Sequence, residues 1–401
     1  MPIKKYQAYR NQSNTVAKYT DNGYMLDAKN SLGEQDYNLI KKHLLLTLMI
    51  VYDSGNPNIH LITTPMSVIK DNTEKAFNNT PSAVDKSILV LYTIEQAVYL
   101  HICKGIPASD ITVLCDGNER EDLSRHFGFS VIRINITIKD TNIMKNFGVI
   151  MGNPPYNEGN SAPWKEVITK LYNRSPVIAM VTPRNVVNGE MRQTGASKTS
   201  LFNSIKSDLT YIDFQADSCF DVGKGICSWV VDKSNTSGVE IKTGNSKKIT
   251  VDLSPYNYLP YNLEDPLDYL IFDKIYKFPT MLAFGKVIKK STGNYLVSAA
   301  VKKISLNYTV VSTDIKADAR IVANDLIGYT LSDAEVDGCN DYVNSKMFAY
   351  LFNLFGGSDV RCGIFRKFPI LDFTKRWVDA DIYAFFGITS KAEIDHIENT
   401  K

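Results

Sequence analysis

The chain has 401 residues, of which 44% are hydrophobic, 22% charged and 11% aromatic. This composition is typical of a soluble globular protein with a sizeable core and excludes wholesale disorder, and the length predicts about two domains. A formal net charge of +2 excludes a histone-like or tail-driven nucleic-acid binder, because such proteins need a strong positive field, so any nucleic-acid surface must be a local patch.

The chain carries no pattern typical of a metal site, a secreted protein or a membrane protein. Its six cysteines and five histidines are scattered, without the spacing of a zinc site, so we expect no bound metal and a reducing environment. The amino terminus lacks the apolar stretch of a signal peptide, and the apolar run around Leu44 to Tyr52 is too short to cross a membrane. These features predict a cytoplasmic protein with no membrane partner.

The first part of the chain predicts an irregular arm followed by a helix. Residues 1–40 are rich in Asn, Lys, Tyr and Gly and show no sustained apolar period, which favours an irregular N-terminal arm. From Tyr37 to Tyr52 apolar residues recur at steps of three and four, which predicts a helix packed on a core. The Gly and Pro residues just after Asp53 end that helix.

The stretch from Ser87 to Thr182 alternates short apolar runs with helical patterns. Near-continuous apolar strands joined by helices predict a parallel sheet covered on both faces, the doubly wound, Rossmann-like α/β class. Two further strands, Leu209 to Phe214 and Ile226 to Asp232, are joined by about a dozen residues and predict an antiparallel edge pair. The five predicted parallel strands begin at Ile88, Ile111, Val131, Val149 and Val177, and the crossover helices span Glu95 to Gly105, Glu119 to Phe127 and Pro163 to Tyr172.

After Asp252 the sequence becomes rich in Pro, Tyr and Asn, which predicts a domain boundary. We therefore expect a catalytic domain over residues 41–252 and a second, α+β domain over residues 253–401. Within the second domain, short Lys-rich strands are expected from Gly285 to Thr330. Its helices are expected near Leu267 to Phe278, Asn344 to Leu354 and Lys391 to Ile397.

The strongest motif is an apolar strand that runs from Val149 directly into Asn153-Pro154-Pro155-Tyr156. The carboxyl end of a parallel strand is the side on which open α/β sheets bind ligands. An aromatic amine such as adenine N6 is a poor nucleophile, because its lone pair is delocalised into the ring. The motif offers two acceptors for the amine hydrogens, the side-chain oxygen of Asn153 and the carbonyl oxygen of Pro154.

The rest of the motif suits the same chemistry. The two prolines fix the backbone and pre-aim both acceptors, and Tyr156 offers a flat face on which an extruded base stacks. An ordinary strand-ending turn is the alternative, because Asn and Pro are common turn residues.

From about Thr63 to Ile397 the chain resembles the gamma-type amino-methyltransferases of DNA, the adenine-modifying enzymes of restriction–modification systems and their phage relatives. Asn153-Pro-Pro-Tyr156 matches the catalytic motif of that family. The supporting elements are Thr63-Thr64-Pro65, Ile178 to Pro183, Asp213 to Val231 with Phe220, and two C-terminal stretches, Phe368 to Asp372 and Trp377 to Gly387.

The resemblance implies a class I S-adenosylmethionine-dependent methyltransferase that methylates N6 of an adenine flipped out of duplex DNA. Asn153, Pro154, Pro155 and Tyr156 would then be catalytic, and Tyr156 and Phe220 would sandwich the base. Thr64, Pro65 and Asn153 would help to hold the cofactor. The same four letters also occur in release-factor glutamine methyltransferases and in some RNA methyltransferases, so an RNA or protein-amide substrate stays open.

The chain departs from the family pattern at the first cofactor loop. The stretch from Ile88 to Val98 contains no glycine, whereas glycine normally lets the backbone approach the cofactor. Asp116, at the end of the second strand, is the expected ligand of the ribose hydroxyls, and Glu95 is a further candidate cofactor ligand. Three hypotheses remain: a non-standard cofactor loop, an enzyme that needs a partner, or a DNA-binding relative without catalysis.

The second domain is expected to recognise the DNA target, because reading a base sequence needs a second surface that enters a groove. A Lys-rich stretch with interleaved Asn and Tyr is the candidate contact patch, with an ordinary solvated surface as the alternative. The expected partner is therefore double-stranded DNA, in a bacterial or phage-infected cell, and a protein partner or a homo-oligomer stays open. No nuclease motif is evident. The patch residues are Lys286, Lys289, Lys290, Asn294, Tyr295, Lys302, Lys303, Asn307 and Tyr308.

Overall fold

A computed structural model of the chain contains two compact units, which are described separately. The first comprises Met1–Val186 and Leu201–Pro255, and the second Val187–Ser200 and Tyr256–Lys401. The functional roles expected for the two domains remain predictions. The structure describes residues 24–53, 64–78, 87–115, 118–134, 143, 145–156, 163–187, 200–220, 225–234, 237–281, 285–286, 294–298, 309–312, 327–356 and 367–400.

The first unit is built on a nine-stranded sheet of order β3-β2-β1-β4-β5-β7-β6-β8-β9. Strands β1 to β5 form one parallel block, and β7 runs antiparallel between β5 and β6. The strands are β1 (Ile88–Leu91), β2 (Ile111–Cys115), β3 (Ser130–Arg133), β4 (Val149–Gly152), β5 (Val177–Pro183), β6 (Leu209–Asp213), β7 (Ile226–Asp232), β8 (Val239–Lys242) and β9 (Lys248–Val251).

This topology confirms the predicted doubly wound, mostly parallel α/β sheet. Within this sheet β7 runs antiparallel to both of its neighbours, β5 and β6. Every residue of β1, β2, β4, β5 and β7 is buried, which is why these strands are rich in Val, Ile, Leu and Met.

The prediction of an antiparallel edge pair is only half right. Strands β6 and β7 do pair antiparallel, but β7 also pairs with β5, and β6 pairs with β8, so neither lies at an edge. Strands β8 and β9 extend the sheet beyond them. They are short, with burial that alternates in β8 and with two of the four residues of β9 exposed. Half-exposed strands of this kind lack the apolar run by which the others were recognised.

The N-terminal arm expected over residues 1–40 is wrong for the part that the structure describes. Helix α1 already begins at Tyr24 and runs to Asp53, with a non-helical backbone at Gly33 (φ 77°). Met25, Ala28 and Leu32 are buried, and the helix contacts α2 and α3. Because Gly33 interrupts the apolar period, the sequence pattern reveals only the second half. The helices of the first unit are α1 (Tyr24–Asp53), α2 (Met66–Asn78), α3 (Ile94–Ile102), α4 (Asn118–His126), α5 (Pro163–Leu171) and α6 (Leu201–Ile205).

The second unit combines helices with a four-stranded antiparallel sheet of order β10-β13-β11-β12, which confirms the predicted α+β architecture. Its elements are α7 (Pro266–Tyr276), β10 (Gly285–Lys286), β11 (Asn294–Ser298), β12 (Thr309–Ser312), β13 (Ile327–Leu331), α8 (Val336–Val343), α9 (Lys346–Phe355), α10 (Asp379–Phe385) and α11 (Lys391–Asn399).

A buried carboxylate joins three helices of this unit. Asp268 of α7 accepts a hydrogen bond of 2.8 Å from the Tyr350 hydroxyl of α9, and His396 Nε2 of α11 lies 2.7 Å from the same oxygen. Because a buried carboxylate needs such partners, the contacts fix the helices relative to one another.

None of the helices in the described ranges is long and apolar enough to span a bilayer. No group of three or more His, Cys, Asp and Glu side chains in the same ranges is arranged to hold a metal ion.

Candidate active site

The candidate site lies where the strand order of the first unit reverses. Strands β1 and β4 are parallel neighbours, with Leu91 opposite Gly152 at their carboxyl ends. The chain leaves β1 through Tyr92 and Thr93 and leaves β4 through Asn153. Because open α/β sheets bind ligands outside the carboxyl ends of the strands at such a reversal, both loops border the expected binding crevice.

Gly152 allows the two strand ends to approach one another closely. Its backbone φ of +146° is a value that residues other than glycine rarely adopt, and a Cβ there would lie 2.3 Å from the backbone oxygen of Leu91. No other residue type fits without moving the backbone. The glycine before the Asn-Pro-Pro-Tyr motif is therefore a structural requirement of the site.

Asn153 is held by hydrogen bonds from both its backbone and its side chain. Its backbone N–H donates to Thr93 Oγ1 at 3.0 Å and to the Leu91 carbonyl at 3.2 Å. Its side-chain Nδ2 donates to Thr64 Oγ1 at 2.9 Å. The side chain is half-buried. Residues 64, 93 and 153, far apart in sequence, thus meet at one point.

Thr64 and Pro65 are both buried and form the start of helix α2. The Pro65 carbonyl accepts the first backbone hydrogen bonds of the helix, from Val68 N (3.1 Å) and Ile69 N (3.0 Å). Asp27 of α1 accepts a hydrogen bond of 3.1 Å from Ser67 N, which satisfies another amide of the first turn. The Thr-Pro element is therefore a helix-starting turn that also contacts Asn153.

The glycine-free first loop has an unusual backbone at Tyr92. Its φ is 61°, in the left-handed region that glycine normally occupies, and this costs a residue with a side chain about 1 kcal/mol or more. The guanidinium carbon of Arg120 lies 5.8 Å from the centre of the Tyr92 ring. A tyrosine therefore takes a backbone conformation that glycine usually occupies.

Glu95 is buried in the first turn of α3, directly after this loop. Burial raises the pKa of its carboxyl to about 7, and the positive charge of Arg120 opposes the rise only in part. A carboxyl whose pKa is raised by burial is a candidate functional residue. Its expected contact with the cofactor remains a prediction.

The two aromatic residues expected to sandwich a base lie at one hydrophobic cluster of the first unit. Phe220 is buried, with 5% of its surface exposed, and belongs to the cluster, while Tyr156 is half-buried and packs against it. Between Asn153 and Tyr156, Pro154 is buried and Pro155 is exposed. The catalytic and base-binding roles of these residues remain predictions.

Some predicted residues lie outside the described residues, notably Thr63 and the expected ribose ligand Asp116. Of the Lys-rich patch, Lys289, Lys290, Lys302, Lys303, Asn307 and Tyr308 also lie outside them, and the side chains of Lys286, Asn294 and Tyr295 are not described.

Sequence reasoning missed Thr93, Gly152 and Arg120. Thr93 carries a usable signal, because it is a polar residue just after a buried strand. Gly152 also carries a signal in the sequence, because it directly precedes the Asn-Pro-Pro-Tyr motif. The place of Arg120 beside Tyr92 follows only from the tertiary structure.

No protein-family model and no curated protein matches the chain. Among solved structures it is similar to a provisionally assigned class I S-adenosylmethionine-dependent methyltransferase from Listeria monocytogenes (10% identity, 59% of this chain and 90% of that chain, TM-score 0.35). It is similar to the type IIG restriction endonuclease BpuSI (11%, 64% and 40%, TM-score 0.36). It is also similar to the plantazolicin methyltransferase BpumL, solved with S-adenosylhomocysteine (14%, 55% and 99%, TM-score 0.28).

Proposed function

We propose that this protein is an S-adenosylmethionine-dependent DNA methyltransferase that methylates the N6 amine of an adenine flipped out of duplex DNA. The observation that carries the proposal is the anchoring of Asn153 at the reversal of the strand order. Three independent chain segments, at Thr64, Thr93 and Asn153, meet there through hydrogen bonds of 2.9 and 3.0 Å. An ordinary turn needs no such support.

The side chains at this crevice fit the cofactor. S-adenosylmethionine supplies an electrophilic methyl group on a positively charged sulfur, next to an amino-acid end that carries both charges. Glu95 would face the positive charges, because a carboxylate favours a nearby cation. The hydroxyl of Thr93 and the expected ribose ligand Asp116 complete the candidate set.

The target amine would be held by two acceptors. Asn153 Oδ1 and the Pro154 carbonyl oxygen each accept one N–H hydrogen, which draws the nitrogen lone pair out of the ring and towards the methyl group. Tyr156 and Phe220 would stack on the two faces of the base. The nitrogen forms the new N–C bond, the sulfur keeps the electron pair of the broken S–C bond, and the amine releases one proton to solvent.

Transfer of a tritiated methyl group tests the proposal. The purified full chain is incubated with labelled S-adenosylmethionine and with genomic DNA from a bacterium that lacks adenine methylation, and the product nucleosides are separated. We expect label in N6-methyladenine, and a loss of at least about a hundredfold with Asn153→Ala, since removal of one preorganised group costs about that factor. Asn257→Ala, at an exposed asparagine of the second unit, is the matched control.

Label that appears only with ribosomal RNA or with a protein substrate would contradict the DNA proposal and select the alternative use of the same motif. Label in cytosine would contradict the adenine assignment. In either case Asn153→Ala still reports whether the motif performs the chemistry.

A second candidate is a DNA-binding relative that has lost cofactor binding or needs a partner for it. The left-handed Tyr92 in a glycine-free loop favours it, because a side chain stands where the backbone normally approaches the cofactor. Calorimetric titration of S-adenosylmethionine, with and without duplex DNA, separates the candidates. Binding that Asp116→Ala weakens supports the enzyme, whereas salt-sensitive DNA binding without any cofactor affinity supports the relative.

We further propose double-stranded DNA as the partner of the second unit, because target recognition needs a second surface. The Lys-rich patch is the candidate contact, and a steep fall of affinity with salt is its expected signature. The same proposal includes membership of the gamma-type family, a role in restriction–modification, an additional protein partner and a cytoplasmic location.

A further inference from the structure

We infer that Thr64 is a positioning residue for the methyl-transfer step: its hydroxyl binds the nitrogen end of the Asn153 amide and so presents the oxygen end to the target amine. The inference deepens the proposed function and rests on it. It assigns to Thr64 a role different from the cofactor contact that the sequence predicts.

The role follows from the asymmetry of an amide side chain. Asparagine carries a donor nitrogen and an acceptor oxygen on the same carbon, and a half-turn about the last side-chain bond exchanges them. If the nitrogen faced the amine, two donors would oppose one another and the amine would lose its acceptor. Productive chemistry therefore requires that one of the two orientations be favoured.

In the structure the contact with Thr64 takes up the amide nitrogen of Asn153 and leaves the amide oxygen for the target amine. Asn153 Nδ2 donates to Thr64 Oγ1 at 2.9 Å, a distance typical of a good hydrogen bond. Thr64 is buried, with 2% of its surface exposed, and it lies at the start of α2, where the Pro65 carbonyl begins the helix. The hydroxyl is thus fixed by a rigid element instead of a mobile loop.

The backbone of Asn153 is fixed from the opposite loop. Its N–H donates to Thr93 Oγ1 at 3.0 Å, and Thr93 Oγ1 in turn donates to the Leu91 carbonyl at 3.2 Å. Thr93 thus holds the main chain of Asn153, and Thr64 holds its side chain. Of these contacts, only the one with Thr64 is made by the side-chain amide, through its nitrogen.

The test compares Thr64→Val, which keeps the shape and loses the hydroxyl, with Thr64→Ser, which keeps the hydroxyl. Thr210→Val is the matched control, because Thr210 is also a buried threonine of the first unit, whose hydroxyl donates to the Val230 carbonyl away from the site. Single-turnover methyl transfer to DNA is measured at saturating S-adenosylmethionine. The dissociation constant of the cofactor is measured by calorimetry.

We expect Thr64→Val to slow the transfer step about tenfold, the factor that corresponds to one lost hydrogen bond, with a cofactor dissociation constant within about twofold of the original. Thr64→Ser should recover most of the rate. Thr210→Val should leave the rate of transfer unchanged. A merely structural role of Thr64 would lower the melting temperature and the rate together. A cofactor role would raise the dissociation constant instead, and either result would overturn the inference.

A second measurement tests the inference independently of the proposed function. The side-chain amide protons of Asn153 are followed by NMR in protein labelled with 15N at asparagine, and Asn153→Ala identifies the signal. We expect this signal to move in Thr64→Val and to return in Thr64→Ser. An unmoved signal overturns the inference even if the protein is a methyltransferase, whereas a moved signal in a protein that transfers no methyl group defeats only the proposed function.

Discussion

At the scale of single residues, Glu95 makes the stability of the first unit depend on pH. Its pKa in the folded chain is about 7, above its ordinary value of 4.5, so the folded state binds the proton more tightly than the unfolded state does. The resulting stabilisation is complete below pH 4.5 and is lost as the pH rises through 7. At 1.36 kcal/mol per pKa unit the loss amounts to about 3 kcal/mol.

We therefore expect the free energy of unfolding of Glu95→Gln to vary less between pH 5 and pH 8 than that of the original protein, as followed by urea unfolding at about four pH values. Glu34→Gln, at an exposed glutamate of α1, should leave the pH dependence unchanged. Equal curves for Glu95→Gln and the original protein would show that Glu95 is not the group responsible.

Gly152 allows a sharper prediction, because a second glycine of the unit, Gly105, distinguishes the cost of backbone strain from the cost of a steric clash. Gly152→Ala should destabilise the first unit by more than about 3 kcal/mol, since the added Cβ would meet the Leu91 backbone at 2.3 Å. Gly105 also has a positive φ (+67°), but a Cβ there meets nothing within 4 Å. Gly105→Ala should therefore cost only about 1 to 2 kcal/mol.

The comparison is made by urea unfolding of both variants. Similar losses in the two would mean that backbone conformation alone, and not the close approach of β1 and β4, makes Gly152 necessary.

At the scale of elements, helix α11 is predicted correctly because its signals are local. Ser390 accepts a hydrogen bond from Glu393 N at 3.2 Å, and the Glu393 side chain accepts one from Ser390 N. This reciprocal capping is written in the sequence as Ser-x-x-Glu before the helix. The same Glu393 also pairs with Lys274 of α7 at 2.7 Å, a contact that no local pattern reveals.

We expect Ser390→Ala to lower the stability of the second unit by about 1 kcal/mol, the usual cost of losing an N-cap. Ser390→Asp should retain most of the stability, because its carboxylate also accepts a bond from the first turn. Thermal unfolding followed by circular dichroism measures both. A loss in Ser390→Asp as large as in Ser390→Ala would assign the effect to packing instead of capping.

Helix α1 shows the opposite case, because its first half lacks a local signal. Gly33 interrupts the apolar period, and the burial of Met25, Ala28 and Leu32 follows from contacts with α2 and α3. Helical stability in proteins comes mostly from such packing and not from propensity. Sequence reasoning could place the second half of α1 but not its beginning.

At the scale of the whole molecule, the proposed cofactor should stabilise the folded chain. A ligand that binds only the folded state adds about 2.7 kcal/mol when its concentration is a hundred times its dissociation constant. We therefore expect S-adenosylmethionine, and its product S-adenosylhomocysteine, to raise the melting temperature, as measured by scanning calorimetry. Asp116→Ala should need more ligand for the same rise.

Adenosine triphosphate, which shares the nucleoside but not the methionine, is the control ligand. An unchanged melting temperature with every ligand, together with retained binding to DNA, would contradict the enzyme and support the DNA-binding relative.

The sequence by itself determined the α/β class, most strands of the parallel block and the Asn153-Pro-Pro-Tyr156 motif. Buried parallel strands and N-caps leave local patterns, because each residue's burial or capping role shows in its chemical type. Only the tertiary structure decided that β8 and β9 extend the sheet and that Tyr92 adopts a left-handed backbone. It alone also brought Thr64 and Thr93 to Asn153, because these contacts join segments about 60 and 90 residues apart, and no local pattern specifies which distant partners meet.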